Sequence, residues 1–88
     1  MARYLVEFTR SAEKEFGRLP RKLQLRAAEA ISLLAENPYS ELIKVKKLKG
    51  AEDLYRIRIA DYRIVYELRD ERLIIPIIKI GHRREIYR

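Results

Sequence analysis

The chain has 88 residues, a formal net charge of +7, no cysteine and one histidine. This excludes disulfides and any cysteine or multi-histidine metal site, leaves room for one small domain, and points to an anionic partner. Some 48% of the residues are hydrophobic, enough for a folded core, although a domain this short buries only about 60% of its unfolded surface.

In chain order, Tyr4, Val6 and Phe8 alternate with Arg3, Leu5 and Glu7, which predicts a first strand. Thr9 and Ser11 are candidate helix caps, and Ala12, Phe16 and Leu19 then recur at helical spacing, so 10–18 reads as a short helix. Gly17-Arg18-Leu19-Pro20 breaks it, and Pro20 suits the first turn of a second helix. From Arg21 to Glu36, Leu23, Ala27, Ala30, Ile31 and Leu34 form one stripe, with Arg21, Lys22, Arg26 and Glu29 largely off it. Asn37-Pro38 ends that helix, and the two helices form a hairpin able to cover one face of a sheet.

Residues 39–50 show no period and read as a connection. Leu54-Tyr55-Arg56-Ile57-Arg58-Ile59 and Tyr62-Arg63-Ile64-Val65-Tyr66 then alternate as two antiparallel strands. Arg56 and Arg58 share one face, opposite Tyr55, Ile57 and Ile59; Arg63, Val65 and Glu67 oppose Tyr62, Ile64, Tyr66 and Leu68. The three tyrosines therefore read as core. Ala60-Asp61 allows a tight turn, though it is not a favoured pair for one. A second turn at Arg69-Asp70-Glu71-Arg72 leads to a third strand over 73–80, where Pro76 implies an edge position or a bulge. The expected order is β-α-α-β-β-β. This is an α+β domain spanning 1–88, with an N-terminal strand, a helical hairpin, then a three-stranded antiparallel meander, and the helices packed on one sheet face.

The basic residues are grouped. Lys44, Lys46, Lys47 and Lys49 precede Gly50, and Arg56, Arg58, Arg63, Arg83 and Arg84 follow on the strands and tail. Arginines on one sheet face, followed by a basic tail with Tyr87, suggest phosphate binding. The opening residues are too charged for a signal peptide, and the longest apolar run, 73–78, is far short of a membrane span. A reducing cytoplasmic setting fits the missing cysteines. Gln24 and Asn37 are the only side-chain amides, while Arg, Lys, Glu and Ile abound, a balance that resembles a thermophile's.

The chain also resembles the RelE-type toxins of the RelE/ParE toxin–antitoxin superfamily. The blocks are Val6-Glu7-Phe8-Thr9 with Ser11-Ala12-Glu13-Lys14, then Leu19-Pro20, Glu36-Asn37-Pro38 and Lys47-Leu48-Lys49-Gly50. More specific are Leu54-Tyr55-Arg56-Ile57-Arg58, Asp61-Tyr62-Arg63-Ile64-Val65-Tyr66 and Gly81-His82-Arg83-Arg84-Glu85-Ile86-Tyr87, and all occur in family order. The resemblance implies a cytoplasmic toxin that cuts messenger RNA in the ribosomal A site. The RNA's 2′-hydroxyl attacks the adjacent phosphate, with no metal or other cofactor. It further implies a cognate antitoxin, helical and acidic, as partner alongside the ribosome and mRNA. No membrane is implied, and DNA only through a toxin–antitoxin complex.

Carried over position by position, Arg56 and Arg58 fall where the RNA-cutting members have lysines. Arginine is a poor base, with a pKa above about 12, so here both are expected to clamp phosphate. Arg63 is expected on the non-bridging phosphate oxygens, Arg83 at the leaving group and Tyr87 against the RNA. His82 is the one side chain whose ordinary pKa lies near neutrality, which makes it a candidate general acid or base. Lys46, Lys47, Lys49 and Arg84 are candidate contacts to ribosomal RNA or the RNA backbone. The same fold also serves a ParE-like inhibitor of DNA gyrase, or a weakly cutting homologue that binds its antitoxin, and fold alone does not separate them.

Overall fold

The computed structural model describes residues 3–40, 45–47 and 54–82. Strand β1 (Leu5–Phe8) ends at Thr9, whose extended backbone and side-chain oxygen cap helix α1 (Arg10–Gly17); Thr9 Oγ1 accepts from the Ala12 N–H at 3.1 Å. Thr9 alone is the cap, and Ser11 falls inside the helix. Gln24 Nε2 reaches back to donate to the Phe16 and Gly17 carbonyls at 3.2 Å each, which satisfies the end of α1. Pro20 sits just before helix α2 (Arg21–Glu36), and its carbonyl accepts from the N–H groups of Leu23 and Gln24. α2 has the span its apolar stripe predicts. It ends at Asn37, whose side-chain oxygen accepts from the Tyr39 N–H at 3.0 Å.

The remaining elements are β2 (Val45–Lys47), β3 (Leu54–Ile59), β4 (Tyr62–Glu67), a 3₁₀ turn at Asp70–Arg72 and β5 (Ile74–His82). They form one five-stranded sheet in the order β1-β5-β4-β3-β2, with β1 parallel to β5 and the other pairs antiparallel. Strand β2 is an addition to the expected order. Its three residues carry two lysines and no period of their own; pairing with β3 makes them a strand.

Pro76 is the second correction. It lies buried in β5, an interior strand, not at an edge. Four backbone hydrogen bonds explain how. Leu5 and Thr9 donate to the carbonyls of Leu73 and Ile77, while Ile74 exchanges both backbone bonds with Arg69. Odd-numbered residues of this stretch therefore turn toward β1 and even-numbered ones toward β4. The Pro76 nitrogen points at β4 between the Tyr66–Ile77 pair and the isolated Arg69–Ile74 bridge, where the ladder has a gap. A bulge does occur, one step further on: Val65 pairs with Lys79 and Tyr66 with Ile77, leaving Ile78 as the extra residue.

Both helices cover one face of the sheet. Ala12, Ala27, Ile31 and Leu34 pack there against Ile57, Ile64, Tyr66, Ile75, Ile77 and Ile80. Tyr66 is buried and stacks on Tyr55 at 5.8 Å, and Tyr55 and Tyr62 are half-buried against the same core, as alternation predicts. Burial, then the neighbouring Tyr55, pushes the Tyr66 hydroxyl well above its ordinary pKa. Two L-residues take positive φ: Ala60 at 53° in the two-residue β3–β4 turn, and Leu73 at 54° after the 3₁₀ turn. At the far end, the Tyr4 and Tyr39 hydroxyls both donate to the Asp70 carboxylate, tying β1 and the end of α2 to the 3₁₀ turn. Among the described residues no helix is long and apolar enough to cross a membrane.

Candidate active site

Alternation gives the sheet a second face, helix-free among the described residues, and the register fixes which side chains meet on it. Lys46, Arg56, Val65 and Lys79 stand side by side across β2, β3, β4 and β5. In the next row Arg58 opposes Arg63, which in turn opposes Gly81. Directly opposite residues in such pairs have Cβ atoms about 4.5–5.5 Å apart, and like charges there are destabilising. Lys46 against Arg56 and Arg58 against Arg63 are two such pairs. Four cations thus meet in two adjacent rows of one face, which makes that face a candidate anion site.

The three arginines differ in setting. Arg58 is exposed, and its Nε donates to the Ala60 carbonyl at 3.1 Å, which folds it back toward the hairpin turn. Arg56 is half-buried between Lys46 and Val65. Arg63 is 6% exposed, with Nε and Nη1 shielded from solvent. Its neighbour Gly81 brings no side chain to that row. A guanidinium stays charged at neutral pH, so β4 holds a permanent positive charge at a site where water screens it poorly. A phosphate oxygen approaching Arg63 meets a stronger field than one approaching Arg58.

Two candidates from the sequence are not brought to this face. Lys47 pairs with Tyr55, so alternation turns it away from Lys46 toward the other side of the sheet. His82 pairs with Tyr62 on the helix side, and the two rings meet edge to face at 5.5 Å. Lys49, Arg83, Arg84 and Tyr87 lie outside the described residues. Lys79 is the residue that sequence reading missed. The bulge at Ile78 reverses the alternation of β5, which puts Lys79 on the arginine face and His82 opposite it.

Helix α1 secures this part of β5 after β1 has ended. Thr9 Oγ1 donates to the Ile78 carbonyl at 2.9 Å, and Glu15 Oε1 accepts from the Ile80 N–H at 3.0 Å. Glu15 Oε2 lies 3.8 Å from Lys79 Nζ. The strand carrying Lys79 and Gly81 is thus held by side chains from α1 and by β4.

Residues 6–87 match the family model described as the ParE toxin of the type II toxin–antitoxin system parDE. A Methanocaldococcus jannaschii protein named as toxin RelE1 is 35% identical over 88 residues, covering 98% of this chain and 97% of that one. The mRNA interferase toxin RelE of Escherichia coli K12 is 30% identical over 88 residues, with 96% and 90% covered. Among solved structures, the archaeal RelE–RelB complex from Pyrococcus horikoshii OT3 superposes with a TM-score of 0.80 at 32% identity. That match covers 94% of this chain and 97% of its counterpart.

Proposed function

This chain belongs to the RelE/ParE superfamily of type II toxins and is of the RelE type, and from that premise we propose that it halts translation as a ribosome-dependent endoribonuclease. The substrate is messenger RNA in the ribosomal A site. The 2′-hydroxyl oxygen attacks the adjacent phosphorus, the bond to the 5′-oxygen breaks, and the products are a 2′,3′-cyclic phosphate and a 5′-hydroxyl. The observation that carries this reading is the sheet face on which the register gathers Lys46, Arg56, Arg58, Arg63 and Lys79. Such a face stabilises the extra negative charge of a phosphorane-like transition state.

Arg63 contacts the non-bridging oxygens from its partly dehydrated site, and Arg56 and Arg58 clamp the same phosphate from β3. Arg83 supports the leaving 5′-oxygen and Tyr87 stacks on the RNA, as the resemblance implies. None of these arginines takes the 2′-hydroxyl proton at neutral pH. That proton passes to water or hydroxide, the departing 5′-oxygen takes one from water, and catalysis rests on positioning by the ribosome together with charge stabilisation. His82, placed beside Tyr62, is not assigned the role of base.

The chain is also held by a cognate antitoxin, as the RelE of the Pyrococcus complex is by RelB. An apolar groove of about 340 Å³ runs between β1 and α2, lined among others by Leu5, Val6, Phe8, Phe16, Ala28 and Ile31. Leu5 and Phe8 are exposed there, which gives an amphipathic antitoxin helix apolar surface to cover. Its acidic part neutralises the arginine face. Incubation with programmed ribosomes, and separately with gyrase and supercoiled DNA, tests the assignment. Codon-positioned cuts only when ribosomes are present support it. Inhibition of gyrase with no cleavage replaces it with the ParE-type activity.

A further inference from the structure

The cations of the helical hairpin stand outside the sheet face. Between Arg18 and Arg26 the chain carries Arg18, Arg21, Lys22 and Arg26, all exposed, and no carboxylate. Among the described residues none of the four takes part in an ion pair. Lys22 and Arg26 are one turn apart, so they lie on the same flank of α2. That flank looks toward β3. Arg26, Glu29, Ala30 and Leu33 share a cleft of about 180 Å³ with Arg58 and Ile59. Arg58 also stands in the row that faces Arg63 on the arginine face. Arg58 is therefore reached from the arginine face and from α2 alike.

We infer that Lys22, Arg26 and Arg58 form a second anion-binding surface, which takes the phosphate backbone of folded ribosomal RNA and joins the arginine face through Arg58. Two features select this occupant. The cleft has two arginines against one acid, Glu29, so it favours an anion. α2 contains no aromatic side chain, so the surface has no platform for an unstacked base. Cations without such platforms suit double-helical RNA, which displays phosphates and hides its base faces. The inference rests on the ribosome reading proposed above.

The test is the double variant Lys22→Glu/Arg26→Glu, beside the charge-keeping Lys22→Arg/Arg26→Lys. Glutamate at 22 lies in the first turn of α2, where the helix dipole favours it, and glutamate is a good helix former at 26, so the first variant keeps α2, which circular dichroism checks. Ribosome binding is measured across a salt series, and binding to an acidic helical antitoxin peptide in parallel. The charge-reversed protein should bind ribosomes more weakly, with a slope of log affinity against log salt shallower by about two, one per phosphate contact. The charge-keeping variant should retain the wild-type slope. An unchanged affinity and slope for ribosomes, with or without weaker antitoxin binding, overturns the inference while the parent reading stands. Wild-type protein that fails to bind ribosomes removes both, so the two failures are told apart.

Discussion

Replacing Arg63 by alanine should damage cleavage far more than replacing Arg58, although the two stand opposite each other on neighbouring strands. The difference comes from burial: Arg63 is 6% exposed, whereas Arg58 is open to solvent. Unit charges 4 Å apart interact by about 1 kcal/mol in bulk water and about 4 kcal/mol at the effective dielectric of a protein surface site. Arg58 works near the first limit and Arg63 nearer the second. Removal of a preorganised charge donor costs about 10²–10³ in rate, and Arg63→Ala should fall in that range. Arg58→Ala should lose less than about ten-fold. Arg63→Lys keeps the charge but not the planar fork and should recover only part of the rate. The assay is single-turnover cleavage on saturating programmed ribosomes, with circular dichroism showing each variant folded. Equal losses at the two positions, or a larger loss at Arg58, would refute the burial argument.

Other expectations follow from single features. Ala60→Gly should raise stability by about 0.5–1 kcal/mol, because Ala60 holds φ at 53° and glycine adopts that region freely, giving a rise in melting temperature of a few degrees. The cleavage rate should climb log-linearly with pH through neutrality, since no arginine serves as base; a plateau abolished by His82→Ala would instead make His82 the base. Hydrogen bonds from Tyr39 first, and then Tyr4, hold the Asp70 carboxyl below its ordinary pKa. The stability they supply is present above about pH 4 and lost as pH falls below it. Tyr4→Phe/Tyr39→Phe should therefore melt lower at neutral pH and show a flatter acid limb in a pH series of thermal melts.

Legibility in the sequence followed the range of the physics involved. α2 was readable to its ends because its apolar stripe, Pro20 and Asn37-Pro38 are local signals. The hairpin of β3 and β4 was equally plain, since period-two alternation puts Arg56, Arg58 and Arg63 on one face without reference to anything distant. β2 was hidden: a strand of Val45, Lys46 and Lys47 exists only through its partner. The interior place of β5 was hidden too, since its parallel neighbour β1 lies some seventy residues away in the chain. One extra residue at Ile78 did the most to the site. Without it His82 would share the arginine face and Lys79 would not, and a one-residue slip of that kind reverses every side chain beyond it.

The central claim is that the arginine face cuts RNA on the ribosome through the RNA's own 2′-hydroxyl. Its most direct measurement is mass spectrometry of the RNA ends left after the purified protein acts on programmed ribosomes. The account predicts a 2′,3′-cyclic phosphate on one fragment and a 5′-hydroxyl on the other, in amounts that collapse with Arg63→Ala. A 5′-phosphate end, or intact RNA beside inhibited gyrase, would contradict it.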